Sequence, residues 1–176
     1  GAFNEGIIFE YDPMTGMLTT LHEFDSTNGR NPESALVETS PGVFYSFTEF
    51  GGTDGNGVIY EYDLNTSTFS VLFNFDSDIQ GDGPDAAPLL ASDGNIYACS
   101  PDDGFFKEGA IFRYTPGATT IDLIIQFELA QEGYKPDDIP VLASNGKLYG
   151  VTEFGGPDRF GTIYEIDPAT GTFTNL

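Results

Sequence analysis

One strand-like segment returns every 51 or 52 residues, turn signals bracket each return, and no stretch carries a useful helical period. Those three observations predict an all-β chain of β-propeller-type, four-stranded antiparallel blades. The marker is Gly6-Ile7-Ile8-Phe9-Glu10-Tyr11-Asp12. It returns as Gly57-Val58-Ile59-Tyr60-Glu61-Tyr62-Asp63, as Gly109-Ala110-Ile111-Phe112-Arg113-Tyr114 and as Gly161-Thr162-Ile163-Tyr164-Glu165-Ile166-Asp167. The register holds between markers: Phe24, Phe75 and Phe127 correspond, as do Gly29, Gly81 and Gly133, then Pro32, Pro84 and Pro136. Gly42, Gly94 and Gly146 follow, then Tyr45, Tyr97 and Tyr149. The 176 residues read as a single repeat domain of about three and a half repeats, with units 6–56, 57–108 and 109–160 and a partial unit 161–176.

Within a unit, the marker is the first strand, rich in β-branched and aromatic residues. A turn follows at Asp12-Pro13 and Thr15-Gly16, repeated at Asp167-Pro168 and Thr170-Gly171. The second strand alternates, as in Phe69-Ser70-Val71-Leu72-Phe73-Asn74-Phe75. A polar loop ending in Gly-x-x-Pro leads to the third strand, for example Pro88-Leu89-Leu90-Ala91. Asp93-Gly94 or Asn145-Gly146 then turns the chain into the fourth strand, Ile96-Tyr97-Ala98-Cys99 or Leu148-Tyr149-Gly150-Val151. These dipeptides are expected to form two-residue hairpins with positive φ. Phe44 and Tyr45 fall on opposite faces of their strand, as do Leu148 and Tyr149, which fits a sheet covered on both sides. A β-solenoid is the structural rival, but its coils are usually shorter and lack a hairpin in every unit.

About fourteen strands make roughly three and a half blades, fewer than most closed propellers contain. The expected form is an open or partial propeller. If a blade takes strands three and four of one unit with strands one and two of the next, the chain begins with a half-blade and continues with complete ones. A second copy lacks the same two strands and cannot supply them by symmetry. The open edge is therefore expected either to be met by a longer chain or to serve assembly.

Six Lys and Arg against 28 Asp and Glu give a formal charge of −22. Such a surface repels phosphate backbones and anionic headgroups, so neither nucleic-acid binding nor membrane docking is expected. No run reaches the ~18 apolar residues of a membrane helix, and no basic leader precedes an apolar stretch, so any export signal is expected to have been removed. With 16 Phe and 9 Tyr the chain is too aromatic for an acidic disordered segment.

Tyr149-Gly150-Val151-Thr152-Glu153-Phe154-Gly155-Gly156 followed by Gly161-Thr162-Ile163-Tyr164 resembles the secreted bacterial Gloeo/Verruco-type tandem repeat, with its YGxTxxGGxxxxGxIF core. The Thr-Gly turn, the Leu-x-x-Phe strand and Gly-x-x-Pro extend the resemblance over essentially the whole chain. It implies tandem blades in extracellular or surface-anchored proteins, with no established enzymatic activity or agreed ligand. The middle unit departs from it: Tyr97-Ala98-Cys99-Ser100-Pro101-Asp102-Asp103-Gly104 lacks the Gly after Tyr and the paired Gly.

The chemical inventory is short. A single Cys allows no internal disulfide, and a single His leaves His22 as the one candidate base. Cys99 shares its register position with Phe47 and Val151, so it reads as an apolar core slot rather than a nucleophile. His22, aligned with Phe73 and Ile125, reads the same way. Asp76, Asp78 and Asp82 lie in a loop whose alternating acids and glycines copy the opening of a calcium loop, yet Ala87 stands at the twelfth position, where a bidentate Glu belongs. Calcium is thus the one cofactor candidate, and solvated carboxylates are the plainer reading. The glycine cluster Gly51-Gly52-Thr53-Asp54-Gly55-Asn56-Gly57 is followed by a strand and by no Gly-Lys-Ser, so it reads as turns and not as a phosphate cradle. Glu10, Glu61 and Glu165 recur, but Arg113 interrupts them, which weakens a glycosidase pair.

No catalytic residue is expected. The expected function is a non-enzymatic extracellular module that binds protein or polysaccharide at the cell surface or matrix, or self-associates through open strand edges. Two alternatives are a carbohydrate-active enzyme or its accessory propeller domain, and a structural filament or stalk repeat.

Overall fold

The computed structural model describes residues 1–76, 84, 86–101, 108–127, 133–136 and 138–176. The first marker forms β1 (Ile7–Asp12), which turns back as β2 (Met17–Glu23). The next strands are β3 (Val37–Ser40), β4 (Val43–Thr48), β5 (Val58–Asp63) and β6 (Thr68–Asn74). After them come β7 (Leu89–Leu90), β8 (Ile96–Ser100), β9 (Ala110–Tyr114) and β10 (Ile121–Gln126). The last four are β11 (Val141–Leu142), β12 (Leu148–Thr152), β13 (Thr162–Asp167) and β14 (Thr172–Asn175). The strands pair antiparallel in chain order as one two-stranded sheet, β1–β2, and three four-stranded sheets, β3–β6, β7–β10 and β11–β14. The fold is all-β and propeller-type, a half-blade followed by three complete blades among the described residues. Blade and sequence unit are out of phase: each complete blade joins the last two strands of one unit to the first two of the next.

The hairpin turns differ from expectation. At Ser92-Asp93-Gly94 the Gly94 N–H donates to the Ala91 carbonyl and the Ala91 N–H to the Asn95 carbonyl, and Ala143, Gly146 and Lys147 repeat this pattern. Gly94 (φ 82°) and Gly146 (φ 79°) are left-handed, whereas Asp93 and Asn145 are not among the positive-φ residues. The loop is therefore three residues long, a tight turn closed by a left-handed glycine rather than a two-residue hairpin. The Asp and Asn side chains instead accept from the backbone two residues on, at Asn95 and Lys147.

The core lies between sheets rather than within one. Ile8 and Phe24 of the half-blade pack on Val58, Tyr60 and Tyr62. Tyr45, Phe47 and Ile59 pack on Ile96, Ala98 and Tyr114. Tyr97, Cys99 and Ile111 pack on Leu148, Tyr164 and Ile166. Each complete blade thus presents one strand face backwards and the other forwards, as the opposed Phe44/Tyr45 and Leu148/Tyr149 pairs require.

At the two ends the same register positions are bare. Phe9 and Tyr11 are 52% and 57% exposed, while their equivalents Tyr60 and Tyr62 are 2% and 3% exposed. Val151 and Ile163 are each 55% exposed, against 0% for Cys99 and Ile111.

Candidate functional site

Two devices recur where the fourth strand of a unit passes to the first strand of the next. The first is a buried hydroxyl. Thr48 Oγ1 donates to the Phe50 carbonyl (2.9 Å) and accepts from the Val58 N–H (3.2 Å). Thr152 does the same with Phe154 (3.0 Å) and Thr162 (3.0 Å). Ser100, also buried, takes the position in the middle unit. The hydroxyl satisfies a carbonyl and an N–H that the strand ladder leaves over. The second device is the paired glycine. Gly51 (φ 86°) and Gly155 (φ 87°) are left-handed, and a Cβ on either would stand 2.7 Å or 2.6 Å from the Cα of Gly29 or Gly133. The glycines of Gly-x-x-Pro and Gly-Gly thus meet face to face, which leaves no room for a side chain. The Gly51–Gly57 loop closes on its own backbone, through Gly51 N–H to Gly55 and Gly57 N–H to Gly51, and forms turns as expected.

Beside each double glycine lies a cleft. One, of about 680 Å³, is lined by Ser26, Thr27, Arg30 and residues 51–55. The other, of about 1310 Å³, is lined by Tyr134, Val151, Arg159, Phe160 and Ile163 among others. Arg30 pairs through its backbone with Phe50 and holds its guanidinium 5.0 Å from that ring; in the equivalent place Tyr134 stacks on Phe154 with centroids 5.3 Å apart. The scaffold is the same in both and the chemistry differs, a cation over a ring in one and two rings in the other.

Across each complete blade, the tyrosine of the fourth strand meets position five of the marker. Tyr45 donates to Glu61, and Tyr149 donates to Glu165, which also receives Lys147. Lys147 and then Tyr149 hold the Glu165 carboxyl below the usual range. In the middle blade Arg113 stands opposite Tyr97, hydrogen-bonds its hydroxyl and pairs with Asp122 at 2.8 Å, while the Tyr97 hydroxyl proton is shared between Asp93 and the Pro168 carbonyl, both at 3.3 Å. Burial, with Asp93 next, pushes Tyr97 up to about 12. Glu61 and Glu165 therefore belong to separate blades, each bound to its own tyrosine. Glu10 is exposed on β1, which has no fourth-strand neighbour.

Cys99 is fully buried between blades, as its register with Phe47 implies, whereas Val151 lies on the exposed end face. His22 stacks on Phe69 at 3.6 Å and meets the edge of Phe24 at 5.1 Å. Burial lowers its pKa, and its Nε2 is buried with no hydrogen-bond partner among the described residues. Of the calcium loop, Asp76 is half-buried directly after Phe75, while Asp78 and Asp82 lie outside the described residues. Among the described residues no three His, Cys, Asp or Glu side chains come together as metal ligands would. Sequence reasoning passed over the threonine hydroxyl and the Tyr–Glu pair. Their signal was present, since Thr48, Ser100 and Thr152 recur three residues after a tyrosine and opposite the marker.

The model of the Gloeobacter/Verrucomicrobia repeat matches residues 1–176. The chain belongs to that repeat family. No curated protein matches this Gloeobacter/Verrucomicrobia repeat chain in sequence. Among solved structures it is similar to the crystal structure of TolB from Acinetobacter baumannii, with a TM-score of 0.55 and 21% identity. The match covers 98% of this chain and 38% of the TolB chain, so the repeat spans well under half of that protein's length. At this identity the likeness shows the fold alone, and it agrees with propeller-type blades.

Proposed function

We propose that this Gloeobacter/Verrucomicrobia repeat is an extracellular, non-enzymatic module that binds or assembles at the cell surface or matrix. The observation that carries the assembly reading is the pair of bare end faces: Phe9 and Tyr11 at one end and Val151 and Ile163 at the other are exposed, while their register equivalents are buried between blades. Apolar strand faces of this kind ordinarily mark an interaction surface. The double-glycine clefts support binding, since their scaffold recurs while the side chains around it vary. The acidic surface favours neutral or cationic partners such as protein or polysaccharide over nucleic acid or anionic membrane.

Sedimentation velocity over a wide concentration range tests assembly. Association is expected, and it should weaken in Tyr11→Glu and Val151→Asp; a monomer at every concentration, together with a blank glycan array, overturns the reading. A hydrolysis screen on acidic and neutral polysaccharides tests the non-enzymatic part. Turnover that disappears in Glu61→Gln/Glu165→Gln would make the chain a carbohydrate-active enzyme instead.

A further inference from the structure

In a chain with 28 acidic residues, an arginine without an acid beside it is the exception. There are three arginines, and Arg113 pairs with Asp122. Arg30 and Arg159 form no ion pair among the described residues, and each lines one of the double-glycine clefts. The two are not register equivalents. Arg30 follows Gly29 on the Gly-x-x-Pro wall, where the other cleft has Tyr134; Arg159 lies on the double-glycine wall, at the position of Gly55. There Arg159 takes the left-handed backbone of Gly55, φ 64° against 86°, which a residue with a side chain seldom adopts. A guanidinium thus reaches the same kind of cleft from two different walls.

The Arg30 cleft is walled by residues 26–30 and 51–55, and none of the bare end-face residues lines it. Main-chain bonds fasten the walls. Arg30 and Phe50 exchange theirs at 2.8 and 3.3 Å, the Gly52 N–H donates to the Ser26 carbonyl at 2.8 Å, and the Gly51 N–H donates to the Gly55 carbonyl at 3.1 Å. Asn74 holds the Thr53 N–H at 2.8 Å. Lying over the Phe50 ring, the guanidinium leaves its N–H fork for a planar, two-pronged acceptor. Its companions are the hydroxyls of Ser26, Thr27 and Thr53 and the carboxyl of Asp54, and no apolar side chain lines the cleft. Asp54 forms no ion pair with Arg30, so a cation and an anion share the cleft without neutralising each other.

That set fits a ligand offering one carboxylate together with several hydroxyls. A bare inorganic anion would leave Asp54 facing it, and a peptide C-terminus brings a side chain for which the cleft has no apolar wall. The net charge of −22 opposes a run of acids, so the acidic unit stands alone in its glycan. We propose that the Arg30 cleft binds a hexuronate unit of an otherwise neutral glycan. Its carboxylate takes the Arg30 fork, a strong and directional pairing, and its hydroxyls bond to Asp54, Ser26 and Thr53. The cleft, at about 680 Å³, falls within the range of small-ligand sites. The inference deepens the binding reading and rests on it.

Methyl glucuronide, titrated into the isotope-labelled chain and followed by amide NMR shifts, is the probe. The amides of residues 26–30 and 51–55 should shift in one saturable step. Methyl glucoside, the same ring without the carboxylate, should bind at least about tenfold more weakly, and so should the glucuronide to Arg30→Gln. Arg30→Lys keeps the charge but loses the fork, and should recover only part of the affinity. Arg30 is exposed, so both variants keep the fold. Sulfate and N-acetylglycine carry the charge without the hydroxyls and should also bind at least about tenfold more weakly than the glucuronide. Equal binding by sulfate would make the cleft a general anion site, equal binding by N-acetylglycine a site for peptide termini, and either result overturns the inference. So does the absence of any shift at these amides with the glucuronide. If they stay still while the glycan array reports binding of neutral glycans, the Arg30 site falls and the binding reading stands.

Discussion

Gly150 shows how single positions in this repeat are chosen in pairs. It sits opposite Tyr164 in the ladder, and a Cβ there would land on the buried Tyr164 hydroxyl. In the middle unit the glycine is Ala98, and the residue opposite is Phe112, which has no hydroxyl to strike. In the first, Ser46 faces Tyr60 and donates to the Ala35 carbonyl. What reads in the sequence as a broken motif at Tyr97-Ala98 is thus a compensated pair. The compensation was hidden because the partners stand 14 residues apart, in register only once the ladder is known. Gly150→Ala should cost about 1–3 kcal/mol through overpacking and lower Tm by several degrees. Tyr164→Phe alone should be close to neutral, since the hydroxyl has no hydrogen-bond partner among the described residues. Combined with Gly150→Ala it should recover much of the loss. Thermal melts of the three variants check this, and simple additivity would contradict the pairing.

Among elements, the turn that ends each marker strand was legible in the sequence, although its mechanism was not. Asp12 accepts the Met14 N–H (2.8 Å) and the Thr15 hydroxyl (2.6 Å), and Asp63 accepts the Asn65 N–H (2.8 Å) and the Thr66 hydroxyl (2.9 Å). These bonds, the threonine hydroxyl foremost, hold both carboxyls below their ordinary value. A depressed folded pKa contributes stability that is complete above the unfolded value near 3.9 and is lost as pH falls through the folded one. Asp12→Asn/Asp63→Asn keeps one acceptor oxygen for the backbone N–H, puts an amide NH2 beside the threonine hydroxyl, which can turn to accept from it, and cannot titrate. Its Tm should therefore fall less steeply than that of the unaltered chain below about pH 4; equal acid slopes would remove the turns from the account. The three-residue hairpins escaped the sequence reading for a related reason. Asp-Gly and Asn-Gly announce a glycine at positive φ but do not say how many residues precede it.

On the scale of the molecule, strand count, all-β class and the half-blade start were legible because the repeat is long and its register strict. The phase of the blades could be posed from the sequence but decided only by pairing, since strands three and four pair equally well on paper with either neighbour. The rim clefts were out of reach altogether. Gly29 and Gly51 belong to different loops, and only the folded backbone bridge between Arg30 and Phe50 brings them together.

Cys99 ties these scales together. It is the one thiol in the chain, and it is buried where the β7–β10 sheet meets β11–β14. A thiol reagent reaches it only when those two sheets part, so labelling in native buffer acts as a clock for the opening of one joint and is indifferent to fraying at β1. Leu148→Ala, which removes a neighbour from the same cluster and should cost about 2–5 kcal/mol, is expected to run that clock at least about 30-fold faster. Val151→Asp, on the opposite face of β12, should leave it nearly unchanged. Equal acceleration by both would mean that the blades do not open one joint at a time, and that the chain unlatches as a whole.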